Sequence, residues 1–126
     1  MFKLCIDYPS AAEESEILRM HSLQVDLNQR LLSDLQAITN PEQVRAMMQA
    51  CGQVRVEDEL VNYINNIVRG TRSWPAFHLG ASPRAGLALM QSARTLAAFS
   101  GRDFAVPDDV ASIVLPALRH RVQLTA

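Results

Sequence analysis

Apolar positions recur at helical spacing along most of this chain and alternate in strand fashion only at its start. Phe2–Tyr8 is rich in strand formers and reads as a short strand, which Pro9 ends. Ser10 with Glu13 fits a capping box, so a first helix opens there with Ile17 and Leu18 on its apolar side. In residues 22–39, Val25, Leu27, Leu31, Leu32 and Leu35 allow a helical turn or two within a mostly irregular segment. Asn40, Pro41 and Gln43 give a second start: a cap, a pre-set first residue and an amide at the third position. This helix is predicted to run to about Ala50, with Val44, Met47 and Met48 facing inward and Gly52 stopping it.

Gln53–Val56 reads as a short extended stretch. Glu57, Asp58 and Glu59 then crowd the start of a third helix, and Arg69 and Arg72 sit near its end, both arrangements favoured by the helix dipole. Leu60, Ile64, Ile67 and Val68 form its core stripe. Ser73–Ala81 is predicted to be a loop, with Trp74 covering the bundle. Ser82-Pro83 begins the fourth and longest helix, which Gly101 ends, and alanines 85, 88, 93, 97 and 98 let a neighbouring helix approach closely. Val106-Pro107-Asp108-Asp109 starts a fifth, which Pro116 should bend or end. The class is therefore all-α: a small helical bundle with one orphan N-terminal strand and at most a minor two-stranded element. A lone strand leaves its backbone donors and acceptors without partners. Residues 1–8 are accordingly expected to be the remnant of a strand from another domain, and residues 9–126 a helical domain cut away from it.

With 126 residues, 48% apolar and 20% charged, the chain suits one packed domain. No apolar run approaches the length of a membrane span, and MFKLCIDYPS does not make a signal peptide. Cys5 and Cys51 lack metal-ligand spacing and are expected to be reduced, buried thiols of a cytoplasmic protein. The net charge of −1 argues against a general nucleic-acid binder. Its distribution is uneven: residues 1–63 carry 10 acidic and 5 basic side chains, residues 64–126 carry 3 and 7. Every basic side chain after Lys3 is an arginine, whose donor fork suits phosphates and carboxylates, although a solvated surface explains the same pattern.

One place breaks the local rules. In Gly80-Ala81-Ser82-Pro83-Arg84-Ala85 the arginine falls at the second position of a helix, where a cation opposes the dipole and no carboxylate offsets it. The free N–H groups of that turn also need acceptors. An anion placed off the helix end satisfies both, and one arginine–phosphate bond contributes on the order of 1.5–3 kcal/mol. Pairing of Arg84 with an acid elsewhere in the chain is the competing reading.

The same segment closely resembles the sensor-2 motif of MoxR-type AAA+ ATPases. Tyr8-Pro9-Ser10 with Glu13, Glu14 and Glu16-Ile17-Leu18 is similar to the family's passage from the last core strand into the lid. Val54-Arg55-Val56, Tyr63-Ile64 and Thr71-Arg72 resemble the helix before sensor 2; Gly101-Arg102, Val106–Val110 and Leu118-Arg119-His120-Arg121 resemble the segment after it. The resemblance implies an AAA+ lid, with residues 1–8 the end of the nucleotide-binding core. It implies that Arg84 reaches the γ-phosphate of ATP in the intact enzyme, with Ser82 and Pro83 fixing the helix start. It further implies Mg²⁺ in the parent and, as partners, its own AAA+ core, neighbouring subunits of a ring, and proteins carrying von Willebrand factor A domains. The motif GxxxxGK[ST] and a Walker B acidic pair are absent from these residues. The isolated chain is expected to be monomeric, to hold no cofactor tightly and not to hydrolyse ATP.

Other chemistry is weaker. His21, His78 and His120 share no ligand spacing with each other or with the cysteines, so no metal site is expected. Cys51 has no local feature that would activate it. His120, between Arg119 and Arg121, reads as part of a basic cluster that is solvated or makes contacts. A DNA-binding domain is the first rival, but the nine residues of Ser73–Ala81 exceed a helix-turn-helix turn, and Arg94 with Arg102 makes a poor recognition face. A helical protein-interaction adaptor shares the fold and differs only in having no use for Arg84.

Overall fold

The computed structural model describes residues 2–23, 26, 29, 32–33 and 35–125. Among these the elements in chain order are α1 (Ala11–Ser22), α2 (Pro41–Gln53), α3 (Asp58–Ser73), β1 (Phe77–Leu79), α4 (Pro83–Phe99), α5 (Pro107–Leu118) and β2 (Gln123–Leu124). They fall into two compact units, one of residues 5–43 and one of residues 44–126 with residues 1–4.

The smaller unit carries α1 and the start of α2. The expected capping box is present: the Glu13 amide donates to the Ser10 hydroxyl at 3.4 Å, and the Ser10 amide donates to the Glu13 carboxylate at 2.7 Å. Hydrogen bonding from the Ser10 hydroxyl, then from its amide, holds the Glu13 carboxyl below its ordinary value. Asn40 and Gln43 reciprocate in the same way, at 2.8 and 3.2 Å. Residues 35–40 carry no regular structure, as expected, and the helical turn anticipated at Val25, Leu27 and Leu31 lies outside the described residues.

The larger unit holds the core. Leu60, Ile64 and Val68 of α3 meet Ala85, Leu89, Ala93 and Ala97 of α4, and Val110, Ile113, Ala117 and Leu118 of α5 close the other side. Ile67 is partly buried against them. The stripe expected on α3 is therefore the observed one. The alanines of α4 keep its inner face shallow, so α5 packs along it closely. α4 ends in a Schellman motif: Gly101 is left-handed at φ 69°, its amide donates to the Ala98 carbonyl at 3.0 Å, and the Arg102 amide donates to Ala97 at 2.9 Å. Arg55 in the predicted extended stretch bridges to Phe104 in parallel, through Arg55 N–H to Asp103 O (2.8 Å) and Ala105 N–H to Arg55 O (3.0 Å).

Several expectations are corrected. Among the described residues, 2–10 pair with no strand, and a strand is defined by its ladder. The loop 73–81 contains β1, which pairs antiparallel with β2 across an irregular register, Phe77 opposite Leu124 and Leu79 opposite Gln123. Val44, Met47 and Met48 do not face inward: α2 has no buried residue, and these side chains border an open groove. Trp74 is 64% exposed and covers nothing. α5 continues past Pro116 to Leu118, since a proline late in a helix forfeits one bond to the preceding turn without ending it. Cys5 is exposed and Cys51 half-buried, so neither is a core thiol.

Candidate functional site

The segment that broke the local rules lies where α3 hands over to α4. Ser82 is the N-cap with extended backbone (φ −78°, ψ 165°), and Pro83 takes the first helical position, where its missing N–H costs nothing. Arg84 follows at the second position. Its neighbour Ala85 is wholly buried and heads the alanine stripe, so the first turn is rooted in the core while Arg84 points to solvent. The turn contains no acid, and the Ser82 hydroxyl makes no capping bond. Among the described residues Arg84 makes no hydrogen bond or ion pair. The helix start thus offers an unengaged guanidinium, an uncapped hydroxyl and amides of the first turn.

What holds this start is the last turn of α3. The Thr71 hydroxyl donates to the Val68 carbonyl at 2.6 Å and accepts the Ala81 amide at 2.9 Å. Arg72 Nε donates to the Ala81 carbonyl at 2.8 Å. Both backbone groups of Ala81 are therefore tied to α3, and Ala81 is 1% exposed. Gly80 permits the approach: a Cβ added there would lie 2.7 Å from the Cα and Cγ of Arg72 and from the Thr71 carbonyl oxygen. Beside Pro83, a groove of about 470 Å³ runs between α3 and α4, bordered by Val61, Arg69 and Arg72 on one side and Gly86, Leu87 and Met90 on the other.

The far end of α4 is fixed independently. Arg102 makes a bidentate pair with Asp109 (2.6 and 2.9 Å) and donates to the Phe104 carbonyl at 3.0 Å, with its guanidinium carbon 6.0 Å from the Phe104 ring centre. Asp109 also accepts the Val106 amide at 2.9 Å, the half of a capping box available when the cap is a valine. Hydrogen bonding from Arg102 holds the Asp109 carboxyl below its ordinary range against the opposing effect of burial.

The remaining candidates do not assemble. Among the described residues no three His, Cys, Asp or Glu side chains come together as a metal site. His120 is exposed, and its imidazole is pushed down first by desolvation, then by the charges of Arg121 and Lys3. Arg94, which with Arg102 makes a poor DNA-reading face, borders the α2–α4 groove with a buried Nε that has no partner. Sequence reasoning gave no role to Thr71 or Gly80. The resemblance marks Thr71-Arg72 and Gly80 as parts of its motifs, but it does not say which contacts they make.

The AAA lid domain family matches residues 69–126, from the end of α3 through β1, α4, α5 and β2. Over 98% of its length the chain is 32% identical to the uncharacterized protein YeaC of Bacillus subtilis, of which it covers 37%. Over 99% of its length it is 33% identical to the chaperone MoxR1 of Mycobacterium tuberculosis, of which it covers 34%. The chain thus spans about a third of the length of these curated relatives. Its fold also matches the crystal structure of a presumed ATPase from Cytophaga hutchinsonii, with a TM-score of 0.74 at 26% identity, over 99% of this chain and 39% of that one.

Proposed function

We propose that this chain, similar along its length to a MoxR-type chaperone and matched over residues 69–126 by the AAA lid domain family, is the helical lid of a MoxR-type AAA+ ATPase, closes over ATP bound to a P-loop core and senses the γ-phosphate through Arg84. The observation that carries the reading is the exposed, unpartnered guanidinium at the second position of α4. A terminal phosphate brought to this helix end would meet Arg84, the Ser82 hydroxyl and the amides of the first turn, with the dipole's positive end behind them. Pro83 sets the backbone that aims them. The competing reading, an Arg84 engaged by an acid, has no support among the described residues. An adaptor without a nucleotide would leave this cation at the wrong end of a helix for no return.

The chain's residues supply a minor share of an ATP site. The P-loop, the Mg²⁺ ligands and the group that orients water belong to the parent's core, so the isolated chain should neither hydrolyse ATP nor hold it tightly. In the parent, phosphate contact by Arg84 would couple nucleotide state to the angle of the lid. Ring neighbours would feel that angle, and remodelling or maturation of protein complexes is the output, with proteins carrying von Willebrand factor A domains as partners. The test is Arg84→Ala in the full-length ATPase. Steady-state ATP turnover should fall on the order of a hundredfold, as when one preorganised donor to a reacting oxyanion is removed. Near-normal turnover would remove Arg84 from the site.

A further inference from the structure

We infer that Thr71 and Arg72 are positioning residues for nucleotide hydrolysis, holding Ala81 by both its backbone groups so that Arg84, three residues on, starts α4 in a fixed place. The inference rests on the reading of Arg84 as the phosphate sensor. Three observations carry it. The Thr71 hydroxyl is used twice, donating to Val68 O and accepting from Ala81 N–H, and lies in a residue only 8% exposed. The orientation of that hydroxyl is thereby determined, because its one proton goes to the carbonyl and a lone pair faces the amide. Arg72 spends Nε on Ala81 O, the other half of the same residue. Finally, the contact distances at Gly80 leave no room for a side chain between the loop and α3.

An ordinary helix start is held by its own cap. Here the Ser82 hydroxyl makes no such bond, and the fixing is transferred one residue back, to the end of another helix. The position of Arg84 therefore follows α3 rather than the local turn. Removing the hydroxyl of Thr71 leaves the Ala81 amide buried and unpaired, and relieves that cost only if the loop shifts. A shift of about an ångström at a charge-stabilising group lowers the rate of the chemical step while leaving substrate affinity largely in place.

The experiment compares Thr71→Val, Thr71→Ser, Arg72→Met, Arg84→Ala and the double variant Thr71→Val/Arg84→Ala in the full-length ATPase. Valine keeps the shape and removes the hydroxyl; serine restores it. Expected for Thr71→Val is a loss of about tenfold in kcat, the size of one hydrogen bond, with KM for ATP changed less than about twofold. Thr71→Ser should recover most of the rate, and Arg72→Met should show a smaller loss of the same kind. In the Arg84→Ala background Thr71→Val should cost nothing further, because its effect passes through Arg84. Wild-type turnover in Thr71→Val, or an undiminished loss in the double variant, would overturn the inference. Amide exchange separates its failure from that of the sensor reading. Thr71→Val should speed exchange at Ala81 about tenfold or more while leaving Leu89 protected. Normal turnover in Arg84→Ala with faster Ala81 exchange in Thr71→Val would sink the sensor and with it the catalytic role, but leave the clamp. Unchanged Ala81 protection would sink the clamp. If Thr71→Val does not fold, Arg72→Met, altered at an exposed side chain, carries the same comparison.

Discussion

Arg102 and Asp109 face each other through two hydrogen bonds across the corner between α4 and α5, and the same carboxylate accepts the amide that begins α5. One aspartate thus completes a helix start and neutralises the arginine that follows the left-handed Gly101. The Arg55–Asp103 and Arg55–Glu57 pairs nearby, at 3.4 and 3.7 Å, are exposed on both sides and contribute little.

The pair gives an acid-dependent stability. The Asp109 carboxyl is depressed in the folded chain, so its contribution is complete above the ordinary aspartate value of about 3.9 and is lost as pH falls from there through the folded value. Asp109→Asn should therefore lower the thermal midpoint at pH 7, and the gap to the unaltered chain should close as pH approaches 2. A gap that is constant with pH would show that the charge is not what matters.

Gly101→Ala tests the left-handed residue. At φ 69° an added Cβ meets no neighbour, so the expected loss of about 1–2 kcal/mol is conformational and not steric. Urea unfolding at pH 7 measures it; Gly101→Asn should lose less.

Leu89→Ala tests the centre of the core. Leu89 is fully buried among small residues of its own helix, and truncation should cost about 2–5 kcal/mol. The same change at Leu87, which is 57% exposed on the same helix, should stay within about 0.5 kcal/mol. Parallel denaturant melts of the two variants separate burial from helix propensity.

Arg84→Ala should leave the folding of the isolated chain within about 0.5 kcal/mol of the unaltered protein, because the side chain is exposed and makes no described contact. Replacement of a cation at a helix start should, if anything, stabilise slightly. A large loss of stability would show that Arg84 is structural.

What could be read from the chain alone follows the range of the forces involved. Ser10 with Glu13, Asn40 with Gln43, and Gly101 act within a few residues, and each appears as expected. The α3 stripe was legible because burial on one side of a helix imposes its period. Periodicity does not say whether a face is covered, and Val44, Met47 and Met48 carry the pattern without the burial. The β1–β2 pair joins segments far apart in the chain, with only three and two residues, too short for alternation to register. Phe2–Tyr8 has strand composition but no ladder. At the site, the misplaced charge of Arg84 could be seen in the sequence, whereas its support by Thr71 depends on a contact spanning ten residues.

The alanine face of α4 has a mechanical result. Ala85, Ala93 and Ala97 have no rotamers to change, so side-chain readjustment in the seam between α4 and α5 falls to Leu89 and to Val110, Ile113 and Leu118 of α5. Arg102 and Asp109 join the far corner of the same two helices, so the seam is held at that end by a charged pair and along its length by close packing.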